Sequence, residues 1–181
     1  MDYQNGVVDM LGEPDDLLSR AAEAIATVRG AGGQIGYVRV AFEDADLESF
    51  PPTSGMGARV GTLGQALHND SPSTAVHDRV APEPGDIIVR KVRVGAFSTT
   101  DLDEQLRERG VDTLILAGIS TSGVVLSTVR DASDRDYRVI VLADATADRE
   151  TDVHAFLTER IFPWQADVIT VAELEPLLVG G

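Results

Sequence analysis

The sequence predicts a three-layer α/β/α fold, in which helices cover both faces of a doubly wound, mainly parallel β-sheet. Segments of strand-like and helix-like periodicity alternate along the chain. The apolar runs at 111–119 and 137–145 are nearly continuous, as in parallel strands that are buried on both faces. A length of 181 residues suits a single domain spanning residues 1–181.

Apolar periodicity and capping residues place the elements. Segments rich in β-branched and aliphatic residues are predicted strands: 34–42, 85–91, 111–119, 137–145 and 167–171. Segments with apolar residues three and four apart are predicted helices: 14–30, a short piece near 61–68, 99–110, 122–135, 149–162 and 172–178. Residues 43–85 are rich in Pro, Gly, Ser and Asp, so we expect loops around short helical pieces there, with the acidic stretch 43–48 as a solvated loop.

The start of the chain does not follow this alternation. "MDYQNGVVD" opens with polar residues that suit a loop after a strand, so the first core strand is expected to be missing upstream of residue 1. A buried parallel sheet needs its central strand, because an open position exposes unpaired backbone groups. We therefore expect five parallel strands, a central gap that another segment or a partner chain covers, and a poorly held Asp2.

Composition excludes several classes of function. The chain has no cysteine, which rules out disulfides, thiolate zinc sites and thiol nucleophiles. Its net charge is −15 and it has no large basic cluster, so nucleic-acid binding is not expected. Apolar runs are too short to span a bilayer and no secretory signal is visible, which favours a cytoplasmic location without membrane contact. The histidines lack metal-ligand spacing, and neither a metal nor a cofactor is expected: His68, His77 and His154.

One basic residue differs from the others. Of the 15 basic residues, Lys91 is the only lysine. Genomic base composition can produce an arginine excess, and one lysine can then survive by chance. Alternatively, the end of this predicted strand needs an ammonium group, which is compact and whose pKa can be tuned. Both interpretations stay open on composition alone.

The turn after the third predicted strand is a second candidate. Residues 118–124 connect a strand to a helix, and such a turn can aim backbone N–H groups at a nucleophile's oxyanion or another anion. It can equally be an ordinary tight turn with capping hydroxyls. In doubly wound sheets ligands bind beyond the carboxyl ends of the strands. The candidate positions are therefore Lys91, this turn and Asp144.

Four segments together resemble a known family. They are "MDYQNG", a strand ending in lysine before "VGAFSTTDLDEQLRERG", then "LILAGISTSGVVLSTVRDASDRDYRVIVLADATAD" and "HAFLTERIFPWQADVIT". Their order and spacing resemble the isochorismatase-like hydrolases, which include isochorismatases, nicotinamidases and other small-amide hydrolases. The resemblance implies a Rossmann-like hydrolase domain that acts on a small molecule and assembles as a homodimer or larger homo-oligomer.

The resemblance also implies the site residues. Asp2 and Lys91 match the catalytic aspartate and lysine, and Val124 stands where the cysteine hydrolases have their nucleophile. Pocket and turn residues are implied at Ile119, Ser120, Thr121 and Gly123, with a cis peptide between the first two. Phe97, from the segment after the lysine, is a further candidate for the pocket.

Two functions remain open. An isopropyl group has no lone pair, so thioester chemistry cannot occur at Val124. The first hypothesis is an isochorismatase-type enzyme that hydrolyses a vinyl ether with Asp2 as general acid. It needs a local positive field for a dicarboxylate, from Arg59 or Arg79. The second is a catalytically silent protein that binds a small molecule or assembles on the same scaffold.

Overall fold

The computed structural model describes residues 1–179. It has an α/β fold with parallel strands, as predicted. The five predicted strands are confirmed, and they are labelled β1 to β5 in chain order: Gly36–Val40, Ile87–Lys91, Thr113–Ile119, Arg138–Ala147 and Asp167–Ile169.

The strands form two parallel sheets. One contains β1 and β2, with Val38 opposite Val89. The other has the order β3-β4-β5. The register of β3 and β4 shifts between Leu116 and Gly118, so that β4 bulges. Such a shift changes which side chains reach the carboxyl edge.

Eight α-helices, α1 to α8 in chain order, connect the strands of the described chain: Asn5–Val8, Asp15–Gly30, Asp44–Glu48, Gly55–Leu63, Leu102–Glu108, Leu126–Asp134, Thr151–Phe156 and Leu174–Val179. The acidic stretch 43–48 was expected to be a solvated loop, which is wrong. It forms α3, because Glu43 and Asp46 make reciprocal capping hydrogen bonds. The predicted helix 149–162 is shorter, since a π-helical turn at Leu157–Ile161 follows α7.

Helices pack on both faces of the strands. On one face, Val125, Val129 and Ala132 of the α6 region belong to a buried cluster with Val139 and Val141 of β4. On the opposite face, α2 and α8 pack against the same sheet through a second set of buried residues: Ala24, Leu142 and Leu174. Within residues 1–179, no helix is both long and apolar enough to cross a membrane.

The first two residues lie between the sheets. The Met1 nitrogen donates to Ala117 O at 2.8 Å, and Ile119 N donates to Met1 O at 3.2 Å. Asp2 N donates to Val38 O at 2.8 Å, so the short segment contacts both β3 and β1. A Cβ at Gly118 would lie 2.6 Å from Met1 O, which explains the glycine. The expectation of a poorly held Asp2 is therefore wrong.

Candidate functional site

A pocket of about 260 Å³ lies beyond the carboxyl ends of β2 and β3. Lys91 is the last residue of β2 and Ile119 is the last residue of β3, and both line it together with Asp2. Apolar side chains form most of the remaining wall: Val7, Met10, Leu11, Met56, Val94 and Val124. Because parallel strands end at the same sheet edge, residues far apart in sequence meet here.

The pocket contains a buried ion pair. Lys91 Nζ lies 2.9 Å from Asp2 Oδ2, and the two side chains are 3% and 7% exposed. Lys91 also donates to Arg93 O at 3.2 Å. Asp2 has a φ of +56°, an uncommon value for a residue other than glycine, and the hydrogen bond to Val38 holds this conformation. The pair is therefore held by the backbone around Asp2 and by a second contact of Lys91.

Asp2 has the chemistry of a proton donor or acceptor. Burial raises the pKa of its carboxyl above the ordinary value, and the Lys91 ammonium opposes this rise. Its second oxygen, Oδ1, is buried and has no hydrogen-bond partner among the described residues. Buried polar atoms rarely stay unpaired. A carboxyl group with a raised pKa and a free oxygen can exchange a proton with a ligand.

The turn after β3 forms another side of the pocket. The peptide bond between Ile119 and Ser120 is cis. A π-helical turn at Thr121–Val125 follows, and α6 begins only at Leu126. The N–H groups of Gly123 and Val125 both donate to Ser120 O at 3.2 Å. Ser122 N donates to Asp148 Oδ2 at 2.7 Å. These three N–H groups are therefore not free for an anion in this conformation.

The structure brings most of the expected site residues together. Asp2, Lys91 and Val124 share the pocket, and the turn adds Ile119, Ser120 and Gly123. Val124 is 3% exposed, so its isopropyl group is part of the packed wall.

Two expected pocket residues lie elsewhere. Thr121 is fully buried, and its hydroxyl forms a 2.8 Å hydrogen bond with His154 Nδ1 of α7, so it does not line the pocket. Phe97 stacks on Tyr137 with ring centroids 6.0 Å apart. It lines a different cavity, between β1 and β3.

Two other expectations, for Asp144 and for Arg59 or Arg79, are wrong because these residues lie outside the pocket. Asp144 accepts a hydrogen bond from Val171 N at 2.8 Å and does not line the pocket, because it lies in the bulged part of β4. Arg79 pairs with Asp15 at 2.9 Å on the surface, and neither it nor Arg59 lines the pocket.

Sequence reasoning missed Arg149. This exposed residue lines the pocket from the loop after β4. None of the ion pairs within residues 1–179 includes its guanidinium. Its position just beyond a strand end was the available signal. The same described residues contain no cluster of three or more acidic or histidine side chains that could hold a metal ion.

Known proteins resemble this chain over most of its length. The isochorismatase domain model matches residues 1–173. A ureidoacrylate amidohydrolase from Methylobacterium radiotolerans is 37% identical over 84% of this chain, and the match covers 64% of that relative, less than two thirds of its length.

Solved structures agree with this match. An isochorismatase family protein from Burkholderia thailandensis is 30% identical with a TM-score of 0.82, covering 98% of this chain and 92% of that one. A cysteine hydrolase from Pseudomonas syringae pv. phaseolicola is 26% identical with a TM-score of 0.89, covering 99% and 90%.

Proposed function

Because this chain belongs to the isochorismatase family, we propose that it hydrolyses a small molecule bound beside Asp2 and Lys91, without a thiol nucleophile. The sequence contains no cysteine, and the position that the family resemblance assigns to the nucleophile holds Val124. The observation that carries the proposal is the buried Asp2–Lys91 pair, whose free carboxyl oxygen belongs to a residue lining the pocket.

In this proposal Asp2 is a general acid. Its raised pKa favours a protonated carboxyl at higher pH than usual, which suits proton donation. With a vinyl ether, the proton goes to the terminal carbon of the double bond. Water then adds to the carbon that bears the ether oxygen and returns a proton to the Asp2 carboxylate. The resulting hemiketal collapses to a carbonyl compound and an alcohol. The Lys91 ammonium stabilises the carboxylate that Asp2 becomes.

Arg149 suggests the class of substrate. The chain carries a net charge of −15, which repels anions at long range. A free guanidinium on the pocket wall opposes that repulsion locally, and its planar donors suit a carboxylate. The other side chains of the wall are mostly apolar. We therefore propose a small substrate with one carboxylate at the Arg149 side and a compact apolar or vinylic body.

The alternative is a catalytically silent binding protein on the same scaffold. The observation in its favour is Val124, because a packed isopropyl group removes covalent catalysis without opening new space. On this hypothesis the ion pair only stabilises the pocket. It predicts binding of small carboxylates without turnover.

A substrate screen with matched variants tests the proposal. Purified protein is assayed on vinyl-ether carboxylates and on small amides, as wild type, as Asp2→Asn and as Asp15→Asn, an exposed control. We expect turnover of a vinyl ether that falls at least about 100-fold in Asp2→Asn and stays unchanged in Asp15→Asn. Binding without turnover in every protein would favour the silent alternative. Turnover of amides instead would contradict the general-acid chemistry.

A further inference from the structure

The pocket beside Asp2 has its charged pair on the inside and apolar side chains at its opening. Asp2 and Lys91 are buried, as is Val124 next to them. Met10 and Val94 line the same pocket and are 56% and 44% exposed. Folded proteins usually place charged groups outside and apolar groups inside. The order is reversed here, which indicates a ligand with an apolar part at the opening.

The apolar side chains at the opening come from three separate segments. Met10 lies just after α1, Met56 is the second residue of α4, and Val94 lies in the loop after β2. We call these three residues the apolar rim. Single exposed apolar side chains are common, but several that converge on one opening mark a binding surface.

Methionine is concentrated at this rim. Of the three methionines in the chain, two belong to the apolar rim and the third is Met1. The unbranched thioether side chain of methionine adapts to apolar groups of different shape, which suits a surface that contacts a flexible ligand. The rim is therefore matched to an alkyl chain rather than to one rigid ring.

One unpaired cation stands beside the apolar rim. Arg149 is exposed and lines the same pocket, and its guanidinium can bind one carboxylate. The other cation of the pocket wall, Lys91, is already paired with Asp2 at 2.9 Å. Among the described residues, the wall thus offers one place for a carboxylate and a separate place for an apolar group. It does not match a dicarboxylate.

We propose that the apolar rim binds the alkyl group of an uncharged aliphatic alcohol that a vinyl ether joins to a single carboxylate. The inference rests on the proposed function, which puts the carboxylate at Arg149 and the reacting double bond at Asp2. The substrate class is then a 2-alkoxyacrylate. Its hydrolysis balances with one water. The terminal carbon gains a hydrogen, the water oxygen becomes the ketone oxygen of 2-oxopropanoate, and the aliphatic alcohol leaves with the other hydrogen.

Saturated analogues test the rim without turnover. The probes are 2-methoxypropanoate and 2-butoxypropanoate, which have no double bond to protonate. Isothermal titration calorimetry of the full chain measures their affinities. Complete burial of one CH₂ is worth roughly a 4-fold gain in affinity. The rim stays partly open to solvent, so we expect about 2-fold for each CH₂, or about 8-fold from the methoxy to the butoxy probe.

Matched variants assign this gain to the rim. Met10→Gln keeps the length of the side chain but makes it polar, so the gain should fall to about 3-fold or less. Leu63→Gln is the control, because Leu63 of α4 is also 56% exposed and does not line the pocket. It should keep the wild-type gain. Arg149→Gln should weaken both probes at least about 5-fold and leave the gain between them unchanged.

Several results would overturn the proposal. Equal affinity of the two probes, or binding of neither, would show that the rim does not hold an alkyl group. An equal loss of the gain in Leu63→Gln and Met10→Gln would mean that the contact is not specific to the rim. A dimer in light scattering that dissociates in Met10→Gln, without any dependence on chain length, would make a second copy of the chain the occupant. The probes cannot react as vinyl ethers, so these outcomes are separate from the turnover that tests the proposed function.

Discussion

The pocket beside Asp2 lies next to a second cavity between β1 and β3, the interstrand slot, and the two differ in their charged groups. The pocket, at about 260 Å³, holds a buried ion pair and an exposed guanidinium. The slot, at about 360 Å³, is lined mainly by aliphatic side chains and by strand edges. They meet at two consecutive residues, since Met1 lines the slot and Asp2 lines the pocket. The larger cavity is thus mainly aliphatic, although Tyr3, Tyr37 and Asp112 also line it.

The two cavities also differ in which polar groups lack a partner. In the interstrand slot, β1 and β3 do not pair with each other among the described residues. In the pocket, one carboxyl oxygen of a buried side chain lacks a partner, so the matching occupant is a small polar molecule. A search by size and apolarity alone would select the slot. The titratable pair selects the pocket instead.

The largest expected effect comes from removing one member of the ion pair. Lys91→Met leaves Asp2 buried without its counter-charge, and we expect the free energy of unfolding to fall by about 3–5 kcal/mol. Urea denaturation at neutral pH measures the loss. Adding Asp2→Asn to Lys91→Met should recover part of it, because the uncompensated charge disappears.

An exposed pair provides the matched control. Arg138 and Asp167 lie 3.1 Å apart, and both side chains are 58% exposed. Arg138→Met should cost no more than about 1 kcal/mol. If Lys91→Met costs as little as this control, the Asp2–Lys91 pair is not the buried interaction described above, and the contrast between the two cavities fails.

The second effect concerns free space in the slot. Ala24 on α2 lines the slot, whereas Ala132 on α6 is fully buried in a packed cluster. Leucine at Ala132 should overpack the core and cost about 1–3 kcal/mol. The same change at Ala24 should cost less than about 1 kcal/mol or stabilise the chain, because its new atoms enter the slot. Equal losses for both variants in thermal unfolding would mean that the slot is filled.

Sequence reasoning located the strands and placed Lys91 at the end of one of them, whereas Asp2 was implied by the family resemblance. The continuous apolar runs predicted buried parallel strands, and parallel strands end at one edge. The same reasoning misjudged Asp2, since backbone hydrogen bonds from Met1 and Asp2 to two different strands leave no mark in side-chain patterns.

Side-chain direction explains the other errors. Thr121 lies in the expected turn, but a π-helical turn carries its hydroxyl to His154. Asp144 was expected at a strand end, and the bulge in β4 moved that end to Ala147. Arg149 was missed for the same reason, because the predicted strand stopped at residue 145. The register shift in β4 therefore places Asp144 inside the strand and Arg149 just beyond its end.

A third, smaller effect tests the electrostatics of the pocket. Val124→Cys removes little volume and should cost about 1 kcal/mol. The Lys91 ammonium lowers the pKa of the introduced thiol, and burial raises it. Lys91 lines the same pocket as Val124, so we expect the ammonium to dominate. Alkylation by iodoacetamide across pH should then give an apparent thiol pKa below the free value of about 8.5.

The neighbouring residue supplies the control. Val125 is fully buried and does not line the pocket, so Val125→Cys should react slowly at every pH. Slow reaction of Val124→Cys with a normal or raised thiol pKa would mean that the pocket does not stabilise a thiolate. It would also favour the silent binding protein.

The smallest effect comes from the histidine that supports the pocket turn. Burial lowers the pKa of His154 below its ordinary value of 6.5, while Asp148 opposes the shift. The unfolded chain then binds a proton more readily than the folded chain, so this contribution to stability is complete above pH 6.5 and is lost as pH falls through the lowered pKa. The imidazole is only half-buried, and solvent screening should keep the change under about 1 kcal/mol.

Urea midpoints at pH 8 and pH 5 should therefore differ less in His154→Gln than in the wild type. His77→Gln, which alters a loop histidine bonded to Arg79 N, should keep the wild-type difference. An unchanged difference in His154→Gln would show that His154 does not contribute to the pH dependence of stability.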